Sequence, residues 1–148
     1  MTNITYKNAG KQAFLGVVRE LVTTYQAFTH VDAAGLRLFG LTPSQADVLF
    51  TLGNQTGMTF KEIGQKTLIT KGTLTGVIDR LQAKSLVKRI TGRNDRRCIR
   101  VELTAKGNKL FQTAFPVHII YLKEHFDRMS GEDQATLRVL LKRLTSLF

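Results

Sequence analysis

Residues 59–84 decide the fold, and they read TFKEIGQKTLITKGTLTGVIDRLQAK. Thr59 is followed three residues later by Glu62, which is the sequence signature of a capping box. In a capping box each of the two side chains accepts a hydrogen bond from the backbone N–H of the other residue. The pattern therefore predicts a short helix that runs to about Thr67, with Ile63 facing inward.

A second helix is predicted to begin after Thr70 and to run from Lys71 to about Lys84. Its apolar residues share one helical face; they are Leu74, Val77, Ile78 and Leu81. Two short helices that meet at a tight turn are typical of a helix-turn-helix, whose second helix enters the major groove of DNA. A generic pair of surface helices would give the same pattern, so the flanking segments must decide.

A β-hairpin is predicted directly after the second helix. Residues 86–90 (LVKRI) form its first strand, residues 92–97 (GRNDRR) its turn and residues 98–103 (CIRVEL) its second strand. The second strand alternates with period two, and Ile99 is expected to anchor it on the same face as Val101. A hairpin in this position is a wing, which favours the helix-turn-helix interpretation.

Further helices are predicted on both sides of this unit. Residues 42–45 (TPSQ) begin one with a second capping box. Thr104 begins a long helix to about Met129, which Pro116 is expected to kink or break, and Ser130 begins the last helix. A seam of apolar residues predicts a long N-terminal helix from about Lys11 to Leu38; the seam is Phe14, Val18, Leu21, Tyr25 and Phe28. The fold class is mainly α with a small β-hairpin wing.

The N-terminal seam has two interpretations that the sequence leaves equally open: a core within one chain, or a dimer interface. The last helix is rich in leucine and is followed by Leu147 and Phe148. Such a helix needs cover, which a partner subunit could supply.

Charge and composition narrow the class of protein. The 148 residues carry a net charge of +11, and residues 61–106 hold twelve of the 22 basic residues but four of the 11 acidic ones. A localised basic surface favours a polyanionic partner, nucleic acid first and an anionic membrane second. A single cysteine, the lack of a signal-peptide core and the lack of a long apolar run favour a cytoplasmic protein without a membrane span.

Taken in order along the chain, these segments resemble the multiple-antibiotic-resistance regulator (MarR) family of bacterial winged helix-turn-helix repressors. The resemblance covers the chain from about Lys11 onwards. The motifs that carry it are Leu41-Thr42-Pro43-Ser44-Gln45, Ile69-Thr70-Lys71-Gly72-Thr73-Leu74-Thr75, Ile78-Asp79-Arg80-Leu81, Leu86-Val87-Lys88-Arg89, Asp95-Arg96-Arg97 and Leu103-Thr104-Ala105-Lys106-Gly107.

The resemblance implies an organisation and a function. Residues 1–40 and 105–148 would supply the helices of a dimerisation domain, and residues 41–104 a winged helix-turn-helix lobe that binds DNA. It implies a homodimer that represses transcription at a pseudo-palindromic operator in double-stranded DNA, usually until a small ligand, often an aromatic acid or phenol, releases it. No cofactor is implied.

The second helix of the helix-turn-helix supplies the first candidate DNA contacts. Lys71 could reach a guanine edge or a phosphate, while Thr73 and Thr75 could touch thymine methyl groups or phosphates. Arg80 lies toward the far end of the helix and is a candidate phosphate ligand. Basic residues around the helix, Lys61, Lys66, Lys84 and Lys88, are further candidates for phosphate contacts.

The wing turn supplies the other candidates: Arg93, Arg96 and Arg97. Arg96 is the main candidate, because a guanidinium suits the narrow, electronegative minor groove of A·T-rich DNA. By the resemblance, Asp95 should pair with a basic residue and fix the loop, and Arg97 should support the wing or touch phosphate.

Other reactive residues carry weaker hypotheses. Cys98 is a small strand residue or a redox sensor, and the former is favoured. His118 and His125 are two helical turns apart, but there is no compact His/Cys cluster, so no metal site is predicted. We predict no catalytic residues, because no nucleophile elbow, HExxH motif or glycine-rich phosphate loop occurs. Phe14, Tyr25 and Phe28 could line a ligand cleft, although packing in an aromatic core explains them better.

Two departures from the family pattern keep alternatives open. Ser85 stands where glycine is common, at the exit of the second helix, and Gly76 stands where a larger polar or basic side chain is common. The loss of a base contact at Gly76 mildly favours a ligand- or protein-binding module with weak, non-specific DNA binding. An enzyme that uses the basic groove for an acidic substrate has charge alone in its favour.

Overall fold

The computed structural model describes residues 3–92 and 98–148. Within them, six α-helices and three short strands follow a 3-10 turn at Ala9–Lys11. Their bounds are α1 Phe14–Arg37, α2 Pro43–Leu52, β1 Met58–Thr59, α3 Phe60–Thr67, α4 Lys71–Ala83, β2 Val87–Thr91, β3 Ile99–Leu103, α5 Ala105–Phe126 and α6 Gly131–Thr145. The predicted fold class, mainly helical with a small antiparallel sheet, is confirmed.

The core lies between α2, α3, α4 and the sheet. Each helix contributes fully buried aliphatic side chains, such as Leu49 from α2, Ile63 from α3 and Ile78 from α4. Complete burial of a side chain of this size stabilises the fold by roughly 1.5–3 kcal/mol. The four apolar residues predicted for the inner face of α4 are all buried. The three helices are therefore held as one rigid unit, and the outer side of α4 faces away from it.

Local capping sets the helix starts, as the sequence predicts. Both capping boxes are present, with Thr42 and Gln45 at α2 and Thr59 and Glu62 at α3. Glu62 Oε2 accepts a hydrogen bond from the Thr59 N–H at 2.7 Å. That bond, with a further one from the Thr59 hydroxyl, lowers the pKa of Glu62. Both carboxylate contacts join the start of α3 to the end of β1.

The sheet has three strands rather than the two that the sequence predicts. β3 is central and pairs antiparallel with β2 on one side and with β1 on the other, so that Val101 lies opposite both Arg89 and Met58. β1 has two residues, too few to show any periodicity in the sequence. The expected anchor of β3 is also wrong: Ile99 is 42% exposed and Val101 is fully buried. β1 covers the middle of β3 and leaves Ile99 at the open end.

α5 is one continuous helix through Pro116, so the alternative of a break there is wrong. Proline has no N–H, and the carbonyl of Gln112, four residues earlier, loses its helical partner. The helix is held by its buried face on either side of Pro116, through Phe111, Ala114 and His118.

α1 and α6 are barely covered by the rest of the protomer. The seam residues of α1 are 41–67% exposed, and none of the residues of α6, all of which the structure describes, is buried. The interpretation of the α1 seam as a core within one chain is therefore wrong. α1 does approach α5 at Gly35, where a Cβ atom would lie 2.5 Å from the Tyr121 ring. Among the described residues, no helix is long and apolar enough to cross a membrane.

Candidate nucleic-acid interface and ligand cavity

The outer face of α4 presents all four of its predicted DNA-contact residues to solvent. Lys71, Thr73, Thr75 and Arg80 are exposed, because the buried residues of α4 occupy the opposite face. The structure therefore places all four on the exposed side of one helix, which is called its outer face. Nothing in the described part of the protomer covers that surface.

The start of α4 differs from the prediction in one detail. Thr70 is the N-cap residue, but its side chain makes no capping bond to the backbone of α4. Its hydroxyl instead lies 3.2 Å from that of Thr73. The first turn of α4 is therefore not capped by a side chain, and free N–H groups at a helix start suit an anion such as phosphate.

Arg80 folds back along α4 over Gly76. Its Nη1 lies 3.5 Å from the position that a Cβ atom would have on residue 76. The guanidinium thus occupies space that a larger side chain at position 76 would need. Arg80 lies closer to the middle of the outer face than its position in the sequence suggests.

A second arginine ties the wing to the helix-turn-helix. The Arg89 guanidinium of β2 donates to Asp79 Oδ1 and Gln82 Oε1, both at 2.5 Å, and lies 5.5 Å from the centre of the Phe60 ring. These contacts join β2 to α4 and α3. The Arg89 guanidinium also balances the negative charge of Asp79, which lies on the exposed side of α4. The sequence pattern assigned no role to Arg89, because its partners lie on other elements.

Four lysines around α4 were further candidates for phosphate contacts, and two of them bind to other residues of the chain. Lys84 Nζ donates to the carbonyl of Gly40 at 2.5 Å and to Gln45 Oε1 at 3.0 Å. Lys88 lies 3.8 Å from Glu102. Lys61 and Lys66 are exposed on α3. Lys84 is therefore better explained as a support of the lobe than as a contact to DNA.

Ser85 occupies the turn after α4, where glycine is common in the family. Ser85 has a φ of +60°, in the left-handed region that favours glycine. Its carbonyl accepts a hydrogen bond of 2.6 Å from the Thr104 hydroxyl. The start of α5 thus holds the exit turn of α4 in place.

The wing turn lies outside the described residues. This applies to Arg93, Asp95, Arg96 and Arg97, whose expected roles therefore stay predictions. The structure does describe the two ends of the turn, where the N–H of Gly92 donates to the carbonyl of Cys98 at 3.1 Å. Arg100 of β3 donates to the carbonyl of Gly57, which ties β3 to the segment before β1. Cys98 is partly buried beside the sheet.

A cavity of about 390 Å³ lies between α1, α2 and α5. Two of the three residues proposed for a ligand cleft, Tyr25 and Phe28, line it, and Phe14 does not. Phe14 is 59% exposed at the start of α1. The remaining lining residues, which the sequence did not group together, are Thr29, Asp32, Leu36, Pro43, Ser44, Ala46, Asp47, Phe50 and His118.

An Asp–His pair joins the two long helices at this cavity. His118 Nε2 of α5 lies 2.9 Å from Asp32 Oδ1 of α1. Partial burial, and to a smaller extent the neighbouring Asp32 carboxylate, raise the pKa of Asp47. His125, the other histidine of α5, bonds instead to the carbonyl of Tyr121 at 3.0 Å. No cluster of three or more potential metal ligands occurs in the described residues.

Comparisons with known proteins agree on the family. The model of the MarR family matches residues 39–97. The HTH-type transcriptional regulator MhqR of Bacillus subtilis is 32% identical over 105 residues, which cover 71% of this chain and 72% of that protein. YkoM of the same organism, an uncharacterised HTH-type transcriptional regulator, is 24% identical over 97% of this chain and 93% of its own length.

Solved structures share the fold over most of the chain. BpsR of Bordetella bronchiseptica, solved in a study of how 6-hydroxynicotinic acid regulates its DNA binding, matches with a TM-score of 0.80 at 25% identity and covers 90% of this chain and 96% of its own. AbsC, a MarR family transcriptional regulator of Streptomyces coelicolor, matches with a TM-score of 0.82 at 24% identity and covers 99% and 97%.

Proposed function

The chain belongs to the MarR family of winged-helix transcriptional regulators, and we propose that it binds a pseudo-palindromic operator in double-stranded DNA as a homodimer. We propose further that it acts as a repressor and that a small molecule releases it from DNA.

The outer face of α4 is the observation that carries the proposal. Lys71, Thr73, Thr75 and Arg80 are exposed together on a helix whose opposite face is buried in the lobe. A helix presented in this way can enter the major groove, where such side chains reach base edges and phosphates. In this proposal Lys71 and the two threonines contact bases or phosphates near the start of α4, and Arg80 contacts the DNA near its middle.

The wing supplies the second DNA contact of the proposal. β2 and β3 are tied to the lobe by Arg89 and Arg100, so the turn between them is carried on a fixed support. Arg96 enters the minor groove, Arg93 and Arg97 contact phosphates or support the wing, and Asp95 positions the loop. These four roles rest on the sequence and on its resemblance to the family.

The uncovered helices supply the argument for a homodimer. α6 presents exposed apolar side chains, among them Val139 at 65% and Leu140 at 54%, and has no buried residue of its own. The seam of α1 is exposed as well. A monomer rarely exposes apolar patches of this extent, so a second copy of the same helices is the proposed cover.

Release by a small molecule is proposed to act through the cavity between α1, α2 and α5. α2 belongs to the DNA-binding lobe, while α1 and α5 are long helices outside it. The lobe can take more than one position relative to α1 and α5 in this proposal. A ligand that fits the cavity better in one of these positions would shift the protein toward that position. The regulation of the DNA binding of BpsR by 6-hydroxynicotinic acid is in keeping with such a role.

A selection experiment tests the proposal. The full-length protein is incubated with a pool of random duplexes, and the bound DNA is sequenced after several rounds. The expected result is an enriched inverted repeat with half-sites about 10 base pairs apart, the distance of one helical turn. Enrichment of no sequence would favour the alternative, a winged-helix module with weak and non-specific DNA binding.

A further inference from the structure

We propose that the cavity between α1, α2 and α5 selects a protonated amine carried on an aromatic body, and not the aromatic acid that the family resemblance suggests. This ligand class rests on the proposed function, since it describes the occupant of the proposed effector site. It is carried by the charge of the cavity lining and by the aromatic walls.

The lining is acidic in a strongly basic protein. Asp32 and Asp47 line the cavity, whereas no Lys or Arg is among its described lining residues, although the chain as a whole carries +11. Asp32 faces the His118 ring at 2.9 Å, whereas Asp47 makes no ion pair among the described residues. The raised pKa of Asp47 has the same origin, because burial and Asp32 both disfavour its ionised form. An ammonium group would remove this electrostatic cost, and a carboxylate would add to it.

The histidine in the lining contacts one of the two carboxylates. His118 is 5% exposed, and its Nε2 lies 2.9 Å from Asp32 Oδ1. Its Nδ1 is buried and lies 3.2 Å from the position that a Cβ atom would have on Gly35, which does not line the cavity. Nδ1 therefore packs against α1 and offers no lone pair to a ligand. The groups of the lining that suit an ammonium ion are its two carboxylates.

The walls suit the rest of such a ligand. Tyr25 and Phe28 of α1 and Phe50 of α2 present aromatic rings to the same cavity that holds the carboxylates. Aromatic faces attract cations through the ring quadrupole and also pack well against a planar apolar body. Carboxylates combined with aromatic walls form the chemical pattern that recognises an organic ammonium ion.

A three-probe binding experiment on the full-length protein tests the ligand class. The probes are 2-phenylethylammonium, 2-phenylethanol and phenylacetate, which share one ring and differ in charge. Binding is measured calorimetrically at pH 7 in the absence of DNA. The cation is expected to bind about fivefold or more tightly than the neutral alcohol, with phenylacetate the weakest.

Two variants locate the effect. Asp47→Asn keeps the size of the side chain and removes its charge, so affinity for the cation should fall about fivefold while that for the alcohol stays the same. Asp127→Asn is the matched control, because Asp127 pairs with Lys123 outside the cavity. It should leave all three affinities unchanged. Circular dichroism checks that both variants keep the helical content of the wild type.

The outcomes separate this ligand class from the proposed function. Phenylacetate binding as tightly as the cation, no binding of any probe at millimolar concentration, or equal cation affinity in wild type and Asp47→Asn would each overturn the ligand class. DNA binding is measured on the same preparation. If the cation binds as expected but never weakens DNA binding, the site stands and the effector role falls.

Discussion

The Arg80 guanidinium lies over Gly76 on the outer face of α4, with Nη1 3.5 Å from the position of a Cβ atom on residue 76. The missing side chain at Gly76 therefore does not leave a gap in the proposed DNA-binding face, because Arg80 occupies it. Gly76 was the one feature of the sequence that favoured weak DNA binding. The position of Arg80 weakens that argument.

Arg80→Ala is expected to weaken operator binding by about 1–3 kcal/mol, since it removes a cation from the middle of the proposed recognition face. Fluorescence anisotropy with a labelled duplex at fixed salt measures the change. Arg128→Ala is the matched control, because it removes the same charge from an exposed position between α5 and α6. Equal losses in both variants would mean that Arg80 acts through net charge alone.

Arg96→Ala is expected to cost operator binding about 1–3 kcal/mol with the fold intact, because a guanidinium in the minor groove is lost. The same anisotropy assay applies, with thermal unfolding as the check on the fold. If Arg96→Ala binds operator as well as wild type at matched salt, the wing assignment is wrong.

Ser85→Gly is expected to stabilise the protein by roughly 0.5–1 kcal/mol, because a non-glycine residue with positive φ is strained and glycine is not. Urea unfolding measures the free energy. Ser146→Gly serves as the comparison, since Ser146 has a φ of −70° and gains nothing from glycine. A stability of Ser85→Gly equal to or below that of wild type would show that the exit turn is not strained.

Leu140→Glu is expected to shift the protein from dimer toward monomer, because a carboxylate would be buried in the proposed interface of α6. Sedimentation velocity reports the change in mass. Leu68→Glu provides the control, as Leu68 is 88% exposed in the turn between α3 and α4. A wild-type protein that sediments as a monomer at micromolar concentration would contradict the homodimer.

Local signals account for most of what the sequence predicted correctly. The capping pairs Thr42–Gln45 and Thr59–Glu62 and the apolar face of α4 depend on residues three or four apart, and all are present. Sequence patterns at short range report such features directly.

The features that the sequence missed depend on distant residues. Asp32 and His118 are 86 positions apart and meet only because α1 crosses α5, closely enough that Gly35 packs against Tyr121. β1 exists because β3 offers it a pairing edge, and Ile99 is exposed because β1 ends before reaching it. The acidic cavity could not be predicted from the sequence for the same reason, because its lining residues come from three helices.

The proposed function requires that the protein binds a particular DNA sequence through α4 and the wing. The most direct test is a competition measurement at about 150 mM salt between the duplex enriched by selection and a scrambled duplex of the same composition. The enriched duplex is expected to bind at least about 10³-fold more tightly. Equal affinity for the two duplexes would contradict sequence-specific binding.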